Sequence, residues 1–280
     1  MHVYISVDME GVAGIATTDQ VARGGTGYSR AQELMTAETN AAIAGAFDGG
    51  ATVVTVNDSH GTMDNLLHDQ LDDRASVIFG APKAQCMAQG LDDRHDVAFF
   101  VGYHAAAGED GVLAHSFSSF FSEFRLNGST MSEAQVNALY AASHGVPVGL
   151  VTGDRSICAV AEAEFAGVLA VPVKSAEGWT ATNSLHPRVA CQMIRAGAAA
   201  AVRRADVLKP VQVPDRLTLE VTMQIPTAAE LAAMVPGARQ TGQFSAACEL
   251  ADPRELLGLV SVWYSLAAGA MRGRLPLVLR

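Results

Sequence analysis

The chain has few basic residues and no long apolar run. Its 280 residues include 19 Lys and Arg against 29 Asp and Glu, which gives a formal net charge of −10. Sequence-independent binding to nucleic acid or to anionic lipid relies on clustered basic side chains, and the sequence contains no basic stripe. The composition therefore argues against nucleic acid and against a membrane surface as partners.

Cysteine is also scarce. Its four positions are far apart and none belongs to a CxxC pair: Cys86, Cys158, Cys191 and Cys248. This spacing favours buried free thiols over a disulfide framework or a thiolate zinc site. No apolar run approaches the roughly 20 residues that span a bilayer, and the amino terminus lacks the pattern of a secretory signal. We therefore expect a cytoplasmic protein.

Short apolar runs alternate with helical segments through the first 205 residues. The spacing predicts helices at about 30–47, with Ser29 as N-cap, and at about 82–88, 133–143 and 187–205. This alternation predicts an α/β fold with three layers, a parallel sheet with helices on both faces. Within 112–131, Asn127 and Gly128 predict a type I′ hairpin between two extended runs.

The pattern changes after a segment at 206–214 that contains two prolines. Alternating strands and short helices follow, which is typical of a small α+β unit. We therefore predict two domains: residues 1–205 form an α/β metal-binding catalytic domain, and residues 206–280 form a smaller α+β C-terminal domain.

Three predicted strands end in side chains of the type that bind metals. The run at 3–7 leads into Asp8 and Glu10, the run at 53–56 leads towards His60, and the run at 97–101 leads to His104. If these runs are neighbouring parallel strands, their carboxyl ends lie along the sheet edge where open α/β folds bind ligands. Two carboxylates and two imidazoles would then converge.

Taken singly, these residues have ordinary explanations. Asp8 could cap a following turn while Glu10 is solvated, and His60 could be a loop histidine bonded to backbone. His104 ends a nearly continuous apolar strand, where a buried imidazole needs a partner. When the four residues are considered together, a shared metal explains them better than four separate structural roles. Their mixed oxygen and nitrogen ligands suit Zn²⁺ or another borderline ion.

Two more residues could take part. His115 lies in a predicted loop, as a surface residue or as a proton carrier near the site. Glu133 lies in the first turn of a predicted helix, where the helix dipole already favours an acid. Sequence spacing does not decide between these alternatives.

The sequence resembles the zinc D-aminopeptidases of the DppA type. Four signature blocks carry the resemblance: SVDMEG at 6–11, VNDSH at 56–60, GYH at 102–104 and AHS at 114–116. The resemblance extends to the final helix and includes GLDD at 90–93 and PDR at 214–216.

The resemblance implies a dinuclear zinc centre, with two Zn²⁺ per subunit. Its implied ligands are Asp8, Glu10, His60, His104 and Glu133, with Asp8 bridging the ions. His115 matches the family's proposed catalytic residue, for which we prefer a role in proton transfer to the leaving amine. The family also implies release of N-terminal D-residues such as D-Ala from short peptides, by a ring-like homodecamer.

Two other functions stay open. The same dinuclear centre could hydrolyse phosphoesters or other amides, since a fold does not fix its chemistry. The chain could also be a non-catalytic, zinc-stabilised peptide-binding oligomer, in which the metal is closed off by protein ligands.

Overall fold

A computed structural model describes residues 1–278 of the chain, and the side chains of residues 1–272. Its strands, in chain order, are β1 (His2–Val7), β2 (Val53–Asp58), β3 (Ser76–Ile78), β4 (Val97–Tyr103), β5 (Phe121–Leu126), β6 (Ser129–Thr130), β7 (Val148–Asp154), β8 (Leu169–Gly178), β9 (Ala181–Ser184), β10 (Leu217–Met223), β11 (Ala238–Gln240) and β12 (Ser245–Leu250). Its α-helices are α1 (Thr18–Val21), α2 (Tyr28–Gly49), α3 (Glu133–Ser143), α4 (Arg155–Glu164), α5 (Pro187–Arg203), α6 (Pro226–Ala233) and α7 (Pro253–Val278).

Seven strands form the first sheet, in the order β3-β2-β1-β4-β7-β8-β9. Neighbours are parallel except β8 and β9, which are antiparallel. Side chains of β1 alternate between the faces: Val3, Ile5 and Val7 pack in the cluster that contains α2 and α5, and Tyr4 packs in the cluster that contains α3 and α7. Helices cover both faces, so the predicted three-layer α/β class is confirmed.

Five strands form the second sheet, in the antiparallel order β11-β12-β10-β5-β6. Helices α6 and α7 pack against it, and α7 also contacts α3. Strands β5 and β6 come from the chain before residue 206, so the sheet draws on both sides of the predicted boundary. The division into domains at 1–205 and 206–280 stays a prediction.

Local turn chemistry explains several element boundaries. The predicted hairpin forms, with φ of 51° at Asn127 and 83° at Gly128, both in the left-handed region that a type I′ turn requires. Helix α3 begins after Ser132, whose side-chain hydroxyl accepts a hydrogen bond from the backbone N–H of Gln135.

Two local predictions were wrong. Helix α2 begins at Tyr28 rather than after Ser29, because the Asp19 carboxylate accepts the backbone N–H of Gly27 and fixes the preceding turn. The predicted helix at 82–88 is reduced to a 3-10 turn at Cys86–Ala88, since Lys83 points inward and donates to the Asp58 carbonyl at 2.6 Å.

Among the described residues, no helix combines the length and the apolar character that crossing a membrane requires.

Candidate metal centre

The carboxyl ends of three neighbouring strands bring the predicted acids and imidazoles together. β1 lies between β2 and β4, and the direction of strand addition reverses between β1 and β4. His60 Nδ1 lies 2.8 Å from Glu10 Oε2 and 3.3 Å from Asp8 Oδ1. His104 Nε2 lies 3.3 Å from Asp8 Oδ2. The four side chains therefore meet where open α/β sheets place their ligands.

Two further side chains reach this place from outside the sheet. Glu133, the first residue of α3, places Oε2 at 3.4 Å from His104 Nε2, and its Oε1 accepts the Phe117 N–H at 2.5 Å. The His115 ring stacks on that of His104 with centroids 4.4 Å apart, and its Nε2 lies 3.8 Å from Glu133 Oε1. All six predicted site residues lie together, while their roles as ligands and catalytic group stay predictions.

Three carboxylates share this buried space, with Asp8 3%, Glu10 5% and Glu133 3% exposed. Burial raises the pKa of Asp8, but the adjacent imidazoles of His104 and His60 outweigh burial and lower that pKa to about 2. Burial lowers the pKa of His60 and His104, yet the adjacent carboxylates outweigh it and raise both well above the usual value. The site therefore favours positive charge between its carboxylates.

Each imidazole is oriented by a backbone carbonyl. His60 Nε2 donates to Val21 O at 2.8 Å, His104 Nδ1 donates to Ala105 O at 2.9 Å, and His115 Nδ1 donates to Leu113 O at 2.9 Å. A carbonyl can only accept, so these ring nitrogens carry the hydrogens. In the neutral tautomer, the opposite nitrogen of each ring presents a lone pair to the centre, which is how metal-binding histidines are held.

Two buried atoms in the centre lack a hydrogen-bond partner among the described residues. They are Asp8 Oδ2 and His104 Nε2, and they face each other. A positive charge between them, either a proton on His104 or a bound cation, would satisfy both atoms. Potential donor atoms of Asp8, Glu10 and His104, and of His104, His115 and Glu133, lie within 4.8 Å of one another. This mixed oxygen and nitrogen set fits zinc or another borderline ion.

Comparison with known proteins agrees with this chemistry. A family model described as D-aminopeptidase matches residues 1–262. The chain belongs to the D-aminopeptidase family. A D-aminopeptidase of Bacillus subtilis (strain 168) is 35% identical to it over 268 residues, which cover 95% of this chain and 98% of the relative.

A solved structure is similar along nearly the whole length. It is that of the Zn-dependent D-aminopeptidase DppA from Bacillus subtilis, described as a self-compartmentalizing protease. The TM-score is 0.91 at 35% identity, covering 96% of this chain and 98% of that chain. The predicted family and the predicted peptidase class are confirmed.

In this member of the D-aminopeptidase family, a buried lysine holds the loop that carries Glu10. Lys174 is 4% exposed, and its Nζ donates to the carbonyls of Glu10, Val12 and Ile15, the last two at 3.0 and 2.6 Å. Glu38 reaches the same loop and accepts the Ala13 N–H at 2.9 Å. Lys174 is not among the residues predicted from the sequence, although a lysine within the apolar strand β8 is a signal that could have found it.

Close backbone packing fixes the approach to His104. A Cβ added to Gly11 would lie 1.9 Å from the carbonyl oxygen of Tyr103, and one added to Gly153 would lie 1.8 Å from the same oxygen. Gly11 N–H also donates to Gly102 O at 2.8 Å. Only glycine leaves room on both sides of the Tyr103 carbonyl. The backbone directly before His104 is therefore held in one position.

A buried polar layer supports the strand ends from behind. Ser6 Oγ lies 2.7 Å from both Ser59 Oγ and Tyr103 Oη, and Asn137 Nδ2 donates to Tyr103 Oη at 2.9 Å. Lys83 Nζ donates to Asn57 Oδ1 at 2.7 Å. Such networks hold their members in one arrangement when they are satisfied. The polar run at 57–59, where β2 ends, is itself buried.

Proposed function

We propose that this chain is a zinc-dependent aminopeptidase that releases N-terminal D-residues of the D-Ala type from short peptides at a dinuclear centre. One observation carries the proposal: Asp8 presents Oδ1 to His60 and Oδ2 to His104, each at 3.3 Å. A carboxylate whose two oxygens face two separate imidazoles has the arrangement that a bridging ligand requires. The zinc dependence of the DppA relative supports the choice of metal.

The donors divide into two groups that share Asp8. Glu10 and His60, in contact at 2.8 Å, would hold one ion on the β2 side. His104 and Glu133, in contact at 3.4 Å, would hold the other on the β4 side. Bound zinc would supply Lewis-acid chemistry, polarising a scissile carbonyl and making water more acidic.

His115 is suited to proton transfer. Its side chain is 24% exposed, whereas those of His104 and Glu133 are 1% and 4% exposed, so an incoming peptide can reach His115. Its Nδ1–H is occupied by Leu113 O, which leaves Nε2 as the atom that takes up or releases a proton. We propose that His115 donates this proton to the leaving amine, a role typically worth roughly 10²–10⁴-fold in rate.

The test is D-Ala release from D-Ala-D-Ala, with zinc measured in the same samples. Asp8→Ala and His104→Ala should lose zinc and turnover together, while His115→Ala should retain zinc and lose kcat. Asp73→Ala, which removes an exposed acid, is the control. L-Ala-L-Ala tests stereospecificity. Turnover that persists in metal-free protein would falsify the proposal.

The same samples separate the alternatives. A preference for aryl phosphates over peptide amides would favour a phosphoesterase. Zinc close to one ion per chain, without exchangeable water and without turnover of any substrate, would favour a structural metal in a peptide-binding oligomer. About two ions per chain in active protein is the result that we expect.

We also propose that the chain works as a homo-oligomer, a decamer of ring type, in the cytoplasm. The description of the DppA relative as self-compartmentalizing supports assembly. The four cysteines are free thiols, which suits a reducing compartment. Light scattering should give the mass of ten chains, and cell fractionation should recover the protein with a cytoplasmic marker.

A further inference from the structure

The hairpin between β8 and β9 lies against the loop that carries His115. At its tip, the carbonyl of Trp179 accepts the Leu113 N–H at 2.8 Å. The indole Nε1–H of Trp179 donates to the carbonyl of Ala114 at 3.3 Å. One residue from the far edge of the first sheet thus holds the two residues that precede His115.

This loop is in an unfavourable backbone conformation. Leu113 and Phe117 have φ of 55° and 62°, in the left-handed region that non-glycine residues rarely adopt. His115 lies between them, and its orientation depends on the hydrogen bond from Nδ1 to the carbonyl of Leu113. Such a conformation persists only where surrounding contacts hold it, so the contacts on each side of His115 decide where its ring points.

The carboxyl-terminal side of the loop is tied to the protein interior. Ser116 Oγ donates to Met131 O at 2.9 Å and accepts the Ala107 N–H at 3.1 Å. Phe117 N–H is held by the Glu133 carboxylate. Trp179 supplies the corresponding ties on the amino-terminal side.

Packing into the core does not explain the placement of Trp179. Its side chain is 56% exposed, yet the polar atom of the indole turns towards the loop. The contact of the indole with the loop is therefore the hydrogen bond from its N–H to the Ala114 carbonyl.

We propose that Trp179 is a positioning residue for His115. Its carbonyl and its indole N–H fix Leu113 and Ala114, Leu113 in turn orients the His115 ring, and His115 Nε2 thereby faces Glu133. This inference rests on the proposed catalytic role of His115, and it assigns the tip of the β8–β9 hairpin to the active site.

A double-mutant cycle tests the coupling. Trp179→Phe keeps an aromatic ring and the backbone carbonyl but removes the indole N–H. It should lower kcat for D-Ala-D-Ala about three- to tenfold with little change in KM, in line with the loss of one modest hydrogen bond. Because Trp179 acts through His115, Trp179→Phe should cause no further loss in the His115→Ala background. Phe79→Leu is the matched control, as Phe79 is 55% exposed and follows β3 at the opposite sheet edge.

A full additional loss in the His115→Ala background, or an unchanged kcat in Trp179→Phe alone, would overturn the inference. So would a loss of activity that follows dissociation of the assembly, measured by light scattering on every variant. Zinc content should be the same in all of them.

Hydrogen exchange of the zinc-loaded protein gives a readout that is independent of activity. Exchange across 113–117 should be faster in Trp179→Phe and unchanged in Phe79→Leu. If His115→Ala retained full kcat, the proposed role of His115 would fail, and exchange alone would decide whether Trp179 holds the loop. Equal exchange in both variants would then refute the inference.

Discussion

Replacing Lys174 by Met tests how the centre depends on a residue that touches no proposed ligand side chain. Lys174 donates to three backbone carbonyls of the loop after β1, including that of Glu10. Met keeps most of the aliphatic stem but has no donor. The substitution therefore leaves three buried carbonyls without this partner.

The magnitude follows from two opposing terms. Val12 O also accepts the Ile15 N–H at 3.2 Å, so two carbonyls are left unsatisfied. At about 1–3 kcal/mol for each, they cost about 4 kcal/mol. Against this, burial lowers the pKa of Lys174 from 10.5 to about 8. At about 1.4 kcal/mol per pKa unit, removing the buried ammonium returns about 3 kcal/mol. The net loss of unfolding free energy is about 1 kcal/mol, or a fall in Tm of about 2 °C at this chain length.

The loss of activity should exceed the loss of stability. The released loop carries Glu10, and removing a group that holds a metal ligand typically costs about 10–100-fold in affinity or activity. Calorimetry would give Tm, and zinc titration with D-Ala release would give the functional loss. Lys209→Met, which changes an exposed lysine, is the control. If Lys174→Met lowered Tm and zinc affinity no more than Lys209→Met does, the reasoning would be refuted.

Three other outcomes are expected. Burial raises the pKa of Glu38 from 4.5 to about 7, so the folded protein keeps a proton that the unfolded chain releases, and stability falls as pH rises through this interval. Glu38→Gln should remove this pH dependence of stability, which amounts to about 3 kcal/mol and is measured from urea unfolding midpoints at pH 5 and pH 8. An unchanged pH dependence would contradict the assignment. Gly153→Ala should destabilise the fold and lower zinc affinity, because its Cβ would lie 1.8 Å from a backbone oxygen. Gly269→Ala is the control: its Cβ would meet nothing within 4 Å, so the substitution should be neutral or stabilising. Chelation should abolish D-Ala release and added zinc should restore it, and a chelated enzyme at full rate would exclude the proposed centre.

The parts of the fold that could be predicted from the sequence are those set by local chemistry. The first strands, the hairpin at Asn127 and Gly128, and the Ser132 cap depend on residues close in sequence. Helix α4 also has a local signal that was missed: Asp154 caps it by accepting the Ile157 N–H at 2.8 Å. An aspartate directly after a predicted strand is a helix-start signal, so this helix is predictable from the sequence.

Contacts between distant segments could not be predicted. Lys174 and Glu10 are separated by 164 residues, and no periodicity links them. Trp179 at the tip of a hairpin looks like an ordinary exposed aromatic until the His115 loop is placed beside it. The convergence of Asp8, His60 and His104 was predictable because one assumption, that three runs are neighbouring parallel strands, was sufficient to bring them together.

The way the centre is held has a consequence for stability. The carboxylates of Asp8, Glu10 and Glu133 are buried close together, so when His60 and His104 are neutral the folded chain carries a repulsion that the unfolded chain does not. His60 and His104 are already oriented by backbone carbonyls, so little conformational entropy remains to be lost when a cation binds. Zinc would then bind the folded chain far better than the unfolded chain. By mass action its binding energy would add directly to the free energy of unfolding, whether or not the enzyme can turn over a peptide.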